Sequence, residues 1–416
     1  MRNIVHQVQK FLSVHELYES TALKWVYGSL LFSYFTAFNS WFYRTETTLA
    51  GITDGTATCR PYFQSCTDWL FLDTLPIGYT QPLLYMCFFG IMLLCVYAMY
   101  QGRWGRAHLL MLPLFIWHFL GVFVIASFDS NFEYYLFIFA FTLLCLPHKE
   151  FFLKVFLVLL YFLSTAVKIH ETWILGTYFS TLQTGLPLFP DEFIPLFTNQ
   201  LILMEMVGVW FLFSGSRRVR IAVLSYFVFF HLYSGLLVGY RYPSTVLPVL
   251  VILFGMFYTK HPIPTTRRSL VAWFMVGLIF FLQMVPVMIS GDEKLTLEGN
   301  KYGVYMFEAN HQCASFTRAE FSDGSFEEQR NVNVLARHRC DPYDRMVQIQ
   351  RMYCSNPLIV RVAWTFDHSI NGRPFYRIVD ERNACDLRYD AFGRNLWIRD
   401  EKTALPVGLP LKNIYR

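Results

Sequence analysis

The chain has 416 residues, of which 54% are hydrophobic, 19% aromatic and only 16% charged, against about 25% charged in ordinary soluble domains. That balance points away from a soluble domain and toward a mainly α, polytopic membrane protein, with membrane lipid as the expected surroundings. The net charge of +5 comes from basic residues scattered between apolar runs, so nucleic-acid binding has no support.

Residues 1–24 place Ile4, Val5, Val8, Phe11, Leu12 and Leu17 at roughly helical spacing among polar residues, which predicts an amphipathic interfacial helix. The usual order of basic start, short apolar core and small-residue cleavage site is missing, so the first span, 25–43, is expected to be an uncleaved anchor. With about 20 apolar residues needed per crossing, eight more spans are predicted at 82–100, 108–127, 134–147, 151–168, 200–214, 219–240, 244–259 and 270–289. Residues 25–289 thus read as one transmembrane domain of about nine spans, with Pro147, His148, Lys149 and Glu150 barely separating the fourth from the fifth.

Charge alternates between the connecting segments. One set holds Arg103 and Arg106, Lys149 and Lys154, Arg217, Arg218 and Arg220, then Lys260, Arg267 and Arg268. The other holds Asp54, Asp68, Asp73, Asp129, Glu133, Glu171, Asp191 and Glu192. The positive-inside rule makes the first set cytoplasmic, along with the N-terminus, and nine spans then put the C-terminus in the periplasm or a lumen. Of nine cysteines, Cys87, Cys95 and Cys145 fall in spans as packing residues. The other six, Cys59 and Cys66 in the first outer loop and Cys313, Cys340, Cys354 and Cys385 in the tail, read as disulfides in an oxidising compartment. Their pairing is open, and a bridge from loop to tail would make a clamp. Close Cys or His pairs with zinc spacing are missing, so no metal is expected.

Residues 290–416 have the composition of a soluble module, expected to be a small β-rich α+β extracytoplasmic domain. Ser322-Asp323-Gly324-Ser325 is a hairpin turn by composition, and Asp341 before Pro342 reads as the N-cap of a helix running to about Cys354. Strands are predicted at 358–366 and 374–379, around the turn Asn371-Gly372-Arg373.

The stretch 161–176, YFLSTAVKIHETWILG, ends an apolar run in Lys168, His170, Glu171 and Trp173. An ionisable group there costs roughly 2.5 to 3.5 kcal/mol, so it persists where it faces protein, water or a reacting ligand. Lys168 is the first candidate base, since an amine serves as one where burial disfavours its ammonium form. The bland alternative is a lysine snorkelling to headgroups beside Trp173 as interfacial anchor, with His170 and Glu171 as solvated rim residues. His118 and His231 on apolar spans are either hydrogen-bonded packing residues or proton-transfer groups, and Glu205 needs a buried partner such as Lys168 or an arginine. Neither GxSxG, a phosphate-binding glycine loop nor HExxH occurs. The spans show no repeated halves, which makes a transporter the weakest reading.

Tyr161-Phe162, Lys168, Trp173 and Gly176 resemble the catalytic-lysine region of vitamin K-dependent gamma-glutamyl carboxylase and of the wider HTTM family of membrane proteins. Phe230-His231 followed by Arg241-Tyr242-Pro243 resembles the family's later histidine-bearing span, and residues 302–311, YGVYMFEANH, resemble the opening of the carboxylase's lumenal domain. The resemblance implies Lys168 and His231 as catalytic groups acting on reduced vitamin K or another quinol. It also implies Tyr302, His311, Glu171 and Trp173 near an exported peptide or protein substrate. Where the family has an assisting histidine after asparagine, this chain has Asn131-Phe132, which leaves the carboxylation apparatus incomplete. The alternative is a non-catalytic maturation or binding protein for exported clients.

Overall fold

A computed structural model describes residues 2–43, 58–63, 77–126, 131–182, 185–290, 292–305, 309–333 and 340–409. Its helices are α1 (Arg2–Phe11), α2 (His15–Glu19), α3 (Thr21–Phe42), α4 (Ile77–Tyr100), α5 (Trp104–Val124), α6 (Asn131–Cys145), α7 (Lys149–Ala166), α8 (Ile194–Met206), α9 (Arg217–Val238), α10 (Arg241–Val251), α11 (Ser269–Ser290) and α12 (Pro342–Ile349). Strands β1 (His311–Phe321), β2 (Phe326–Asn333), β3 (Ile359–Ile370), β4 (Phe375–Glu381) and β5 (Leu405–Gly408) follow in the tail.

Four of the described helical stretches, not nine, are both long and apolar enough to cross a membrane: Pro82–Tyr100, Trp104–Val124, Arg217–Leu237 and Ser269–Ser290. The other expected spans fall short for separate reasons. α3 has 22 residues, but Ser29, Ser33, Thr36, Asn39 and Ser40 dilute its apolar run. α7 starts with Lys149, Glu150 and, one turn on, Lys154. α6 has only 15 residues. The expected span at 200–214 is broken, α8 ending at Met206 before a tighter 3-10 turn at Gly208–Phe213. The one at 244–259 is α10 widening into the π-type turn Ile252–Met256. The N-terminal surface helix is likewise two pieces, parted at Ser13, whose φ of 51° is left-handed.

The chain divides into two compact units, Met1–Phe162 with Glu205–Ile279, and Leu163–Met204 with Phe280–Arg416. In the first unit α3 is central, packing on α4, α6 and α10 through buried residues such as Leu30, Tyr34 and Phe38. Ser20 caps α3, accepting from Leu23 N at 3.2 Å. The separation of α6 from α7 is held by the Glu16 carboxylate, which accepts from His148 N at 2.8 Å and Lys149 N at 2.7 Å. Two basic groups assigned to a loop are instead inside the protein. Lys149 donates to Leu146 O at 2.8 Å, and Lys154 pairs with Glu150 at 2.8 Å. The Glu150 carboxylate also meets His261 at 2.9 Å and the Ser20 hydroxyl at 2.8 Å, so its buried charge is compensated from three sides.

In the second unit the strands form one antiparallel sheet in the order β2-β1-β3-β4-β5. Its core gathers Trp364, Phe366, Ile378 and Val379 from the sheet with Tyr343, Met346 and Ile349 from α12. The hairpin turn lies where expected, between Phe321 and Phe326, and Asp341 caps α12 by accepting from Tyr343 N at 2.9 Å. The helix stops at Ile349 and runs on to Cys354 as a π-type turn. Cys313 pairs with Cys340 and Cys354 with Cys385, so the tail cysteines staple the tail itself and the loop-to-tail clamp is not made. Cys59 is also in a disulfide, while Cys66 lies outside the described residues, as do Asp54, Asp68, Asp73 and Asp129. Of the span cysteines, Cys95 is buried but Cys87 is exposed on α4.

Candidate functional site

Lys168 sits just past the end of α7, in a turn where its N–H donates to Thr165 O at 2.8 Å and its carbonyl accepts from His170 N at 2.9 Å. The chain then makes the single helical turn Glu171–Ile174. Lys168 is 1% exposed, so the residue as a whole is enclosed. Its Nζ stands 5.5 Å from the centre of the Trp173 ring, within the range of a cation–π contact. Trp173 stacks on Tyr178 at 5.0 Å, and both pack with Leu182, Phe179, Leu201 and Ile202. Gly176 lets this segment close on α8: its φ is 74°, and a Cβ there would lie 2.7 Å from the Ile194 side chain.

The tail grips the same segment. Asn371, at φ 50° in the turn after β3, donates from Nδ2 to the Thr172 hydroxyl at 2.9 Å. That leaves the Thr172 proton for His170 Nδ1, 2.7 Å away. Asn371 also accepts from Asn310 N at 2.8 Å and donates its N–H to Asn310 O at 2.9 Å. Asn310 in turn donates from Nδ2 to the Tyr178 carbonyl and, at 3.2 Å, to the Thr181 hydroxyl. Glu171 is exposed and meets Arg373 at 3.6 Å. His311, the first residue of β1, contacts His368 Nε2 through Nδ1 at 2.9 Å, and His368 Nδ1 reaches Leu295 O at 2.7 Å.

Of the residues singled out from sequence, Lys168 and Trp173 are in direct contact, Glu171 pairs with Arg373 of the expected turn, and His311 pairs with His368, which sequence reading passed over. Tyr302 is engaged within the tail, its hydroxyl donating to Ala391 O at 2.6 Å and its ring stacked on Phe392. Within the 302–311 motif, Met306 to Glu308 lie outside the described residues. His231 belongs to the first unit, fully buried, sharing a hydrogen bond with the Tyr161 hydroxyl and facing Tyr242 at 5.4 Å. Glu205 is also in that unit, 1% exposed and near enough to Tyr161, Tyr226 and Tyr242 to act on them electrostatically.

The first unit holds a polar cluster that sequence reading missed. Glu133, assigned to an acidic outer loop, is buried at 2% exposure on α6. Its carboxylate accepts from Trp41 Nε1 at 3.1 Å and from the Arg241 guanidinium at 2.6 Å, and meets His118 Nε2 at 3.1 Å. The Arg241 guanidinium also reaches the Ser40 hydroxyl at 3.2 Å and lies over the Phe132 ring at 4.5 Å. Phe132 therefore supplies an aromatic face where a histidine was sought. The signal that marks this cluster was available, for Glu133 and His118 are ionisable residues within apolar runs.

In the tail, burial pushes the Asp341 carboxyl up to about 6, against the opposing pull of Lys301 at 3.3 Å. Among the described residues no three His, Cys, Asp or Glu side chains gather as a metal site. These features define a mostly helical protein with four helices fit to cross a membrane and a disulfide-stapled sheet at its C-terminal end. The chain matches no family model, no curated protein and no solved structure.

Proposed function

We propose that this protein is an integral membrane enzyme of the gamma-glutamyl carboxylase type, in which Lys168 is the base that serves a lipid-soluble quinol and the modified group belongs to an exported peptide or protein. The observation that carries this reading is the enclosure of Lys168 beside two stacked aromatic rings, Trp173 and Tyr178. A buried amine next to indole and phenol planes suits a flat ring bearing acidic hydroxyls, such as reduced vitamin K. When bound, that hydroquinone supplies an acidic hydroxyl and the reducing equivalents for oxygenation. Lys168 takes the proton at Nζ, and the Trp173 face steadies the ammonium that results. Thr172, Asn371 and Asn310 hold the turn in place, and the packed aromatic cluster keeps water from the amine. His231, hydrogen-bonded to Tyr161 within the first unit, is the other residue that the resemblance names as catalytic. Glu171, Tyr302 and His311 are the groups the resemblance assigns to the incoming peptide; Glu171 is exposed, while the Tyr302 hydroxyl and the His311 ring are engaged within the tail. The proposal keeps the N-terminus cytoplasmic and the tail in the periplasm or a lumen, where its two disulfides would form.

The test is turnover of a quinol and of a glutamate-containing peptide by the purified protein in nanodiscs, with co-extracted quinones identified by mass spectrometry. Lys168→Ala is expected to lower quinol oxidation by about 100-fold or more while leaving thermal unfolding and disulfide pairing intact. Wild-type rates in that variant refute the proposal. The competing reading, a binding protein for exported clients, is favoured by the edge strand β2, whose residues are nearly all exposed and able to pair with an added strand. Under it, client capture survives Lys168→Ala and fails when β2 is interrupted by proline.

A further inference from the structure

Among the described residues β2 pairs with β1 alone, at the end of the sheet order, and Phe326, Glu327, Glu328, Arg330, Asn331 and Val332 are all exposed. The hairpin fixes which backbone groups of this strand face outward. Phe321 N–H donates to Ser325 O at 2.9 Å, and along an antiparallel ladder hydrogen-bonded pairs alternate with non-bonded ones. From that first bonded pair the register of β2 on β1 turns the N–H and C=O of Glu327, Gln329 and Asn331 toward β1. Those of Phe326, Glu328, Arg330 and Val332 therefore point to the open edge, and their side chains share one face of the sheet. Phe326 and Val332 are each 55% exposed, large for apolar side chains. Glu328 meets Arg318 of its own chain at 3.6 Å with both side chains still exposed, so its carboxylate has room for a second cation.

We propose that β2 is the dimerisation strand of this protein, two copies of the chain joining edge to edge and antiparallel about a two-fold axis through Gln329, so that their sheets run on as one. The occupant of the edge is a second copy because the strand is complementary to itself. An added antiparallel strand must set outward-facing residues opposite outward-facing ones. Centred on Gln329, Phe326 falls opposite Val332 and Glu328 opposite Arg330, and the two-fold axis makes each apolar pair and each ion pair twice. Moving the centre by one residue either way sets Glu328 against Glu328 or Arg330 against Arg330, so like charges reject the neighbouring registers. The usual guards of a free edge are missing too: β2 has neither proline nor lysine, and its register on β1 runs without a bulge. The inference goes beyond the proposed function and is independent of Lys168.

The test is subunit counting on the full-length protein by native mass spectrometry, with cysteine cross-linking in membrane vesicles to read the register. The wild type is expected to be a dimer. Gln329→Cys brings two thiols together at the axis, in a non-hydrogen-bonded pair with Cα atoms about 4.5 Å apart, and is expected to give a reducible dimer that the wild type does not. Glu328→Arg alone, or Arg330→Glu alone, is expected to raise the dissociation constant about tenfold or more, and the two together to bring it back toward wild type. A monomeric wild type overturns the proposal and leaves the edge to a client strand. A dimer that Gln329→Cys does not lock, or that neither charge reversal weakens, overturns it by putting the interface elsewhere. Thermal unfolding and mapping of the 313–340 and 354–385 bridges check that each variant folds, and the wild-type and Gln329→Cys results decide the matter where a charge reversal does not. Turnover enters none of these readouts, so the proposed function and this inference fail separately.

Discussion

Glu133 shows how much a single buried carboxylate can organise. Its three contacts come from α3, α5 and the start of α10, so one side chain joins four helices including its own. Breaking such a group leaves the Arg241 guanidinium without its counter-charge and His118 Nε2 without its hydrogen-bond partner; loss of one partner of a fully buried pair costs about 3–5 kcal/mol, and the partial exposure of Arg241 puts this one at or below the lower end. Glu133→Ala is therefore expected to destabilise the first unit by that amount in detergent-titrated unfolding, and Glu133→Gln, which keeps an acceptor, by less. Asp341 makes a different residue-scale prediction, in the tail. Its folded pKa of about 6 lies above the ordinary carboxylate value, so the folded state holds the proton more tightly. The stability this contributes is full below about pH 4 and is lost as pH rises through about 6. Asp341→Asn keeps an acceptor for Tyr343 N and is expected to flatten that slope in urea unfolding of the tail between pH 4 and 7.

At the scale of elements, the turn between β3 and β4 does more than reverse the chain. Gly372 has φ 78°, and a Cβ on it would stand 2.9 Å from Thr181 Cγ2. Gly372→Ala is expected to cost about 1–3 kcal/mol through strain and crowding. Faster amide exchange across residues 168–182 would report the loosened grip on the lysine turn. The turn itself was legible in sequence because Asn-Gly carries its conformational signal locally, as did Ser322 to Ser325 and the Asp341-Pro342 cap. The strand β5 was not, for Leu-Pro-Val-Gly is too short to show a period of two. The breaks in α8 and α10 escaped for the opposite reason: hydropathy is continuous across residues 207 and 252, while the backbone tightens or widens there.

At the scale of the whole molecule, composition was enough to mark helices suited to a membrane but overcounted those long and apolar enough to cross it. Basic residues read as loop charges, Lys149 and Lys154, are buried inside the first unit, one on the Leu146 carbonyl and the other on the Glu150 carboxylate, which a charge count along the chain cannot foresee. The same limit applies to the site. Lys168 and Trp173 stood out because they share one short stretch, whereas Thr172, Asn310, Asn371 and His368 acquire roles only through contacts some 57 to 199 residues apart. Under the proposed orientation, protease added to sealed right-side-out vesicles is expected to release fragments of the tail and spare the segment carrying Arg267 and Arg268; the reverse pattern in those vesicles would invert the topology.

The two tail bridges close consecutively along the chain, spanning 27 and 31 residues without interleaving. Each bridge therefore joins successive cysteines of the tail, and the first ring can shut before Cys385 has been made. Loop closure of that size is worth about 3–4 kcal/mol per link. A Cys385→Ser chain should accordingly still trap the 313–340 link quantitatively on emerging, and peptide mapping under alkylating quench would find it there.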